Sequence, residues 1–235
     1  MKIRPARASC EKMRRGKTMC GRFWVEGESE NELLSRMIEE AARRQKAVTG
    51  ESGIAAGEVF PGAAVAALAL AKSGEAGAYP MLWGFHRPDG KGLIINTRSE
   101  TALEKPLFRA SMLERRCLIP CSWYFEWGEA DDGPSLQIGG TGKAPRRTPG
   151  GKTKYAIRPR TPGIMYLAGI YRYEADRRLP VLSVLTKAPS PEIAFIHGRM
   201  PVIFSDRTHG AWLDRKNDPR EVLRSCENAM EYRPA

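Results

Sequence analysis

The stretch Met19-Cys20-Gly21-Arg22-Phe23 holds the one cysteine of the chain that directly follows a methionine. If Met19 starts the mature chain and is removed, Cys20 carries a free thiol and a free α-amine on adjacent carbons. Such a 1,2-aminothiol attacks an aldehyde through nitrogen and sulfur together and closes a five-membered thiazolidine. An internal cysteine cannot do this, because its nitrogen is locked in a planar amide. Three other places bear side chains able to move protons or hold a charged partner. Asn96, Arg98 and Glu100 alternate with Ile95, Thr97 and Ser99, so on a strand they share one face. That face is either a site wall or a solvated surface. Glu126 sits inside the aromatic run Trp123-Tyr124-Phe125-Glu126-Trp127. Desolvation there would raise its pKa and favour a neutral acid near neutral pH. An edge-strand Glu facing water, with the aromatics buried behind it, is the other reading. His197 ends a short predicted helix, where a structural or surface role competes with a catalytic one.

These residues need elements to hold them. Ser29 and Glu32 form a capping box for a helix over about Ser29 to Lys46, with Leu33, Leu34, Met37, Ile38 and Ala41 as its apolar face. Strands are predicted over Ala63 to Leu70, Tyr79 to Phe85, Leu93 to Glu100, Met165 to Tyr173, Leu179 to Thr186 and Met200 to Phe204, with a short one near Tyr155. Pro106 should divide Thr101 to Arg116 into two short helices. Ser190-Pro191 reads as a cap followed by an N1 proline, with Gly198 as the C′ residue, and Asp206 and Asp218-Pro219 start the last two helices. Cys117 and Cys121 would lie about 13 Å apart in extended chain, too far for a disulfide. Without a second ligand pair they read as core thiols, and no metal or cofactor is expected.

The 235 residues, 42% hydrophobic, suffice for one large domain. Five irregularly spaced cysteines argue for reduced thiols, and no apolar run reaches membrane-spanning length, so a cytoplasmic protein is expected. The net charge of +11 is unevenly spread: +6 lies in residues 1–19 and +7 in residues 140–160, which leaves −2 for the rest. Residues 133–163 read as a long loop rich in Gly, Pro and basic residues. The leader, residues 1–18, has no periodicity and reads as disordered. Its Arg14-Arg15 pair could be encoded AGG-AGG, a bacterial ribosome-binding sequence shortly before Met19. Translation from Met19, or a propeptide ending there, is therefore expected, with residues 19–235 as the domain.

Five segments occur in order: Met19 to Phe23, Asn96-Thr97-Arg98-Ser99-Glu100-Thr101-Ala102, Arg116 to Pro120, Phe125-Glu126-Trp127 and His197-Gly198-Arg199-Met200-Pro201. Through them the chain resembles the SRAP (SOS response-associated peptidase) family of abasic-site processing proteins, over roughly Met19 to Leu213. The resemblance implies an α+β fold: one domain with a twisted, barrel-like, mostly antiparallel β-sheet flanked by helices. It implies covalent capture of abasic sites in single-stranded DNA, where the open-chain sugar offers an aldehyde. By resemblance Cys20 is the nucleophile, Asn96 orients it, Glu126 exchanges protons, and His197 assists Schiff-base formation and reversal. Arg22, Arg98 and Arg199 match phosphate-contacting positions, Trp83 would stack on a neighbouring base, and Glu100 is left as structural. Gly198 departs from relatives that often carry a polar residue there. The activity expected is DNA–protein crosslinking with lyase-like Schiff-base chemistry, by a monomer. A cysteine peptidase using Cys20, His197 and Glu126, cutting before Cys20, is the competing reading, and a non-catalytic single-strand-binding module is the third.

Overall fold

The computed structural model describes residues 21–26, 31–129 and 151–235. Cys20, the leader, the cap expected at Ser29 and most of the basic loop lie outside the described residues. The chain begins with β1 (Arg22–Val25), whose residues alternate outward and inward. Helix α1 (Glu32–Thr49) follows, capped by Asn31, whose side chain accepts from the Leu34 N–H at 3.1 Å. The helix thus starts two residues later than the capping box implied. It ends at Gly50, whose φ of 83° gives the left-handed turn that glycine adopts without a Cβ penalty. Leu34 and Ala41 are buried and Met37 and Ile38 pack beside them, while Leu33 stays exposed.

Next come β2 (Gly57–Val59), β3 (Ala64–Leu70), β4 (Ala76–Trp83), β5 (Phe85–His86), β6 (Leu93–Ile94) and β7 (Asn96–Arg98). The strand expected over Leu93 to Glu100 is therefore broken at Ile95. The Ile95 carbonyl turns aside to accept from the Val184 N–H and the Trp83 indole, each at 3.0 Å. Helix α2 (Pro106–Glu114) starts at its proline, so Pro106 opens one helix instead of dividing two. Strands β8 (Arg116–Cys121), β9 (Trp123–Gly128), β10 (Thr153–Pro159), β11 (Met165–Arg172) and β12 (Val181–Lys187) follow. A single 3₁₀ turn, Pro191–Ile193, replaces the helix expected after Ser190, and the Ser190 side chain makes no capping bond. Gly198 is not among the glycines with positive φ, so it is no C′ residue. The chain closes with β13 (Met200–Pro201), β14 (Ile203–Phe204), α3 (His209–Leu213), α4 (Pro219–Leu223) and β15 (Met230–Pro234). Asp218 caps α4 as expected, accepting from the Arg220 N–H at 2.8 Å. Asp206 instead accepts from the Tyr166 hydroxyl at 2.9 Å, and the cap position of α3 is Thr208.

The architecture is mixed α+β, mostly sheet. A five-stranded antiparallel sheet runs β15-β10-β9-β1-β2. In the second sheet β12, β4, β3, β8 and β11 close on themselves as a ring, with β13, β14 and β7 attached. Pairings are antiparallel except those of β12 with β4 and with β7. Among the described residues no helix is long and apolar enough to cross a membrane.

Candidate active site

Strand β12 is the post on which two of the motifs hang. On one side it pairs in parallel with β7, setting Val184 opposite Asn96 and Thr186 opposite Arg98. On the other it pairs with β13, setting Thr186 opposite Pro201 and Lys187 opposite Met200. Thr97 is buried and shares a 2.9 Å hydrogen bond with Ser183, so Asn96 and Arg98 point to the other face, as the alternation predicted. The Thr186 carbonyl accepts from the Ser99 N–H at 2.9 Å and from Nη2 of Arg199 at 2.7 Å. Arg199 also forks onto Glu100, Nη1 to Oε1 at 2.5 Å and Nη2 to Oε2 at 2.7 Å. One guanidinium thereby clamps the turn after β7 to the turn that carries His197.

Arg199 thereby has a structural role beside the phosphate contact expected of it: engaged by Glu100 and Thr186, it positions the His197 turn. The Arg199 hydrogen bond holds the Glu100 carboxyl below its usual range despite partial burial. A lowered carboxyl pKa stabilises the fold fully above about pH 4.5, and that share is lost as pH falls through the lowered value. Wild-type melting temperature is expected to fall more steeply on acidification below that pH than that of Glu100→Gln. Identical profiles would show that the clamp carries no pH-dependent stability.

His197 itself is held through Nδ1, which accepts from the Arg199 N–H at 3.2 Å. In the tautomer that accepts there, the neutral ring carries its proton on Nε2. After protonation Nδ1–H faces the Arg199 carbonyl at 3.3 Å, so the backbone can serve either state. Gly198 has open space where a Cβ would stand, so the missing side chain leaves no packing gap.

Glu126 lies on β9, an interior strand between β1 and β10, and is 3% exposed. The water-facing edge reading is thereby excluded. Trp123, Phe125 and Trp127 take one face of β9, and Tyr124, Glu126 and Gly128 take the other. The register sets Arg22 opposite Phe125 and Phe23 opposite Tyr124. Continued by one residue, it brings Gly21, which follows Cys20 in sequence, level with Glu126. At the end of the Glu126 face, a Cβ on Gly128 would fall 2.7 Å from Cα of Ile196. Glycine is what allows β9 to touch the backbone beside His197. Phe195 secures the same turn against Tyr155 and Tyr232, with ring centroids 5.8 and 5.2 Å away.

Trp83 lies in the core. It is 0% exposed, its ring packs 4.9 Å from that of Phe23, and its indole N–H donates to Ile95. No ring face is left for a base. Its place is between β1 and the residue preceding Asn96, which makes it a positioning residue. Arg22 reaches Glu58 at 3.1 Å and lies over the rings of Phe60 and Trp127, at 4.6 and 4.8 Å. Burial would raise the pKa of Glu58, but hydrogen bonds from Lys154 and Arg22 outweigh it and hold the carboxyl low. The Arg98 side chain is exposed and makes no hydrogen bond or ion pair among the described residues. Cys117 and Cys121 are core thiols, and burial pushes both far above the ordinary thiol range. One cluster, His86, Glu174 and Asp176, gathers ligand-type atoms within 4.8 Å. Both nitrogens of His86 are already engaged there, by Glu174 and by Arg177, each at 2.6 Å.

The sequence reading missed Gly128, Thr186 and the clamping part of Glu100. Only Gly128 left a local signal, a glycine closing an aromatic strand.

A family model described as SOS response associated peptidase (SRAP) matches residues 19–234. An abasic site processing protein of Bacillus subtilis, YoqW, is 30% identical over 151 residues, which are 61% of this chain and 60% of that protein. One from Saccharomyces cerevisiae is 28% identical over 122 residues, 51% of this chain and 28% of that protein. The chain thus spans 60% of the length of the Bacillus relative. A crystal structure of a Bacteroides thetaiotaomicron protein superposes with a TM-score of 0.65 at 18% identity, covering 92% of this chain and 91% of that one. A phage-related protein of Bordetella bronchiseptica does so with a TM-score of 0.62 at 16% identity, covering 92% and 94%.

Proposed function

Because the chain belongs to the SOS response associated peptidase family, we propose that it processes abasic sites in DNA, and that it does so by covalent capture of the lesion in single strands. Cys20, once N-terminal, attacks the C1 aldehyde of the ring-opened sugar with its α-amine. The carbinolamine loses water to give an imine. The thiol sulfur then adds to the imine carbon, its proton passes to nitrogen, and the thiazolidine is closed with one water released and no redox change. Glu126 carries the proton that ring opening and dehydration require, His197 exchanges protons in imine formation and in reversal, and Asn96 orients the aminothiol. Arg22 and Arg98 hold flanking phosphates, contacts that position the strand without reading its bases.

The observation that supports this reading is a carboxyl more than nine-tenths buried on the strand paired with β1, one register step beyond the Arg22–Phe125 pair. A carboxyl side chain is a group that can give and take the protons that imine formation moves. The test is an oligonucleotide with a single abasic site, run on a denaturing gel after incubation. Protein beginning at Cys20 is expected to give a shifted, denaturation-resistant band, whereas Cys20→Ala and a form keeping residues 1–19 give none. A persistent band with Cys20→Ala would end the thiazolidine mechanism. The peptidase reading makes a separate demand: the full chain should cut itself between Met19 and Cys20, which intact mass detects.

A further inference from the structure

The outer face of the five-stranded sheet carries a feature that the capture chemistry does not use. Trp24 on β1 lies directly opposite Trp123 on β9. Trp24 is 39% exposed, and Phe60 nearby is 47% exposed. The Trp123 ring has a guanidinium on each of two neighbouring side chains: Arg158 of β10 at 4.5 Å and Arg233 of β15 at 4.4 Å. Arg158 is also paired with Glu231, at 2.5 Å. Arg233 has no acidic partner among the described residues. A cleft of about 240 Å³ opens between Trp123, Arg158, Glu231, Tyr232 and Arg233.

A guanidinium packed over an indole has already lost much of its rotational freedom. Two of them beside an exposed tryptophan make the combination that binds single strands: rings for bases and oriented cations for phosphates. A solvated surface gives no reason to leave a large indole uncovered beside another. The patch lies on the sheet face opposite Glu126 and adjoins Arg22, since Trp24 stands two residues along β1 from it, about 7 Å.

We propose that this face is a second binding site, for the single-stranded nucleic acid flanking the lesion, in which Trp24 stacks on a base and Arg158 and Arg233 hold the backbone. The proposal rests on the abasic-site reading for its substrate, and it is tested without the covalent step. Fluorescence anisotropy of the full chain is measured with lesion-free oligothymidylates of about 6 and about 20 nucleotides. The longer strand should bind more tightly. Trp24→Ala and Arg233→Glu, both surface changes, should each weaken the longer strand roughly fivefold to a hundredfold. They should reduce its salt slope by about 1 for the arginine and leave the short strand unchanged. Unchanged melting temperatures would confirm that the variants fold. An unaltered ratio of long to short affinity in folded variants overturns the platform.

The two ideas fail separately. If protein beginning at Cys20 forms no adduct with a short abasic oligonucleotide, the covalent reading falls, and the anisotropy still decides the platform. If adducts form equally in wild type and variants while the length dependence persists in both, the platform falls and the covalent reading stands.

Discussion

Glu126→Gln, in protein beginning at Cys20, is expected to slow adduct formation by roughly 10²–10⁴-fold, the usual contribution of a positioned acid–base group. The amide preserves the size and planarity of the side chain but cannot release or accept the proton that dehydration moves. The exchange is made at a buried position in an interior strand, so its rate effect must be separated from a folding effect. A single-turnover gel time course at several protein concentrations does this, alongside a melting curve. Slow, concentration-independent capture by a folded protein is the expected outcome. Capture at the wild-type rate would remove Glu126 from the chemistry. Its burial would then be a feature of the sheet alone.

The second large effect concerns Trp83. Truncation to Ala at a fully buried indole should cost about 3–5 kcal/mol and lower the melting temperature by roughly 10 °C for a domain of this size. Trp83→Phe keeps most of the packing against Phe23 but loses the bond to the Ile95 carbonyl. It should cost about 1–3 kcal/mol, mainly because that acceptor is left with less. DNA affinity at a temperature where both variants remain folded is the discriminating measurement. A base-stacking residue would show its loss there first. The core position predicts the reverse order, a large change in stability and a small one in affinity.

Much of the site could be read in the chain because its residues lie in short, separate motifs whose local pattern already says strand or turn. The apolar runs of β3, β11 and β12 are visible for the same reason: each is buried and bounded by turn residues. What could not be read depends on partners distant in sequence. The two readings of Glu126 are separated by β1 and β10 pairing on either side of β9. Trp83 becomes a core residue because Phe23 and Ile95 arrive beside it, and Arg199 a clamp because Glu100 and Thr186 do. The pattern Met-Glu-Tyr-Arg-Pro gave too short a polar alternation to announce β15. Pro191 offered a helix start that the following residues do not extend beyond one 3₁₀ turn.

The position of β15 has a consequence for handling the protein. It is the outermost strand of its sheet, pairing with β10 from Tyr155↔Pro234 to Pro159↔Met230. During synthesis that edge cannot be covered until these late residues have left the ribosome. Until then β10 presents a bare row of N–H and C=O groups, the template on which another chain can pair. A truncation ahead of Met230 would make that state permanent, so loss of solubility should precede loss of any site residue. An affinity tag is accordingly better placed on a spacer beyond residue 235 than substituted into the strand.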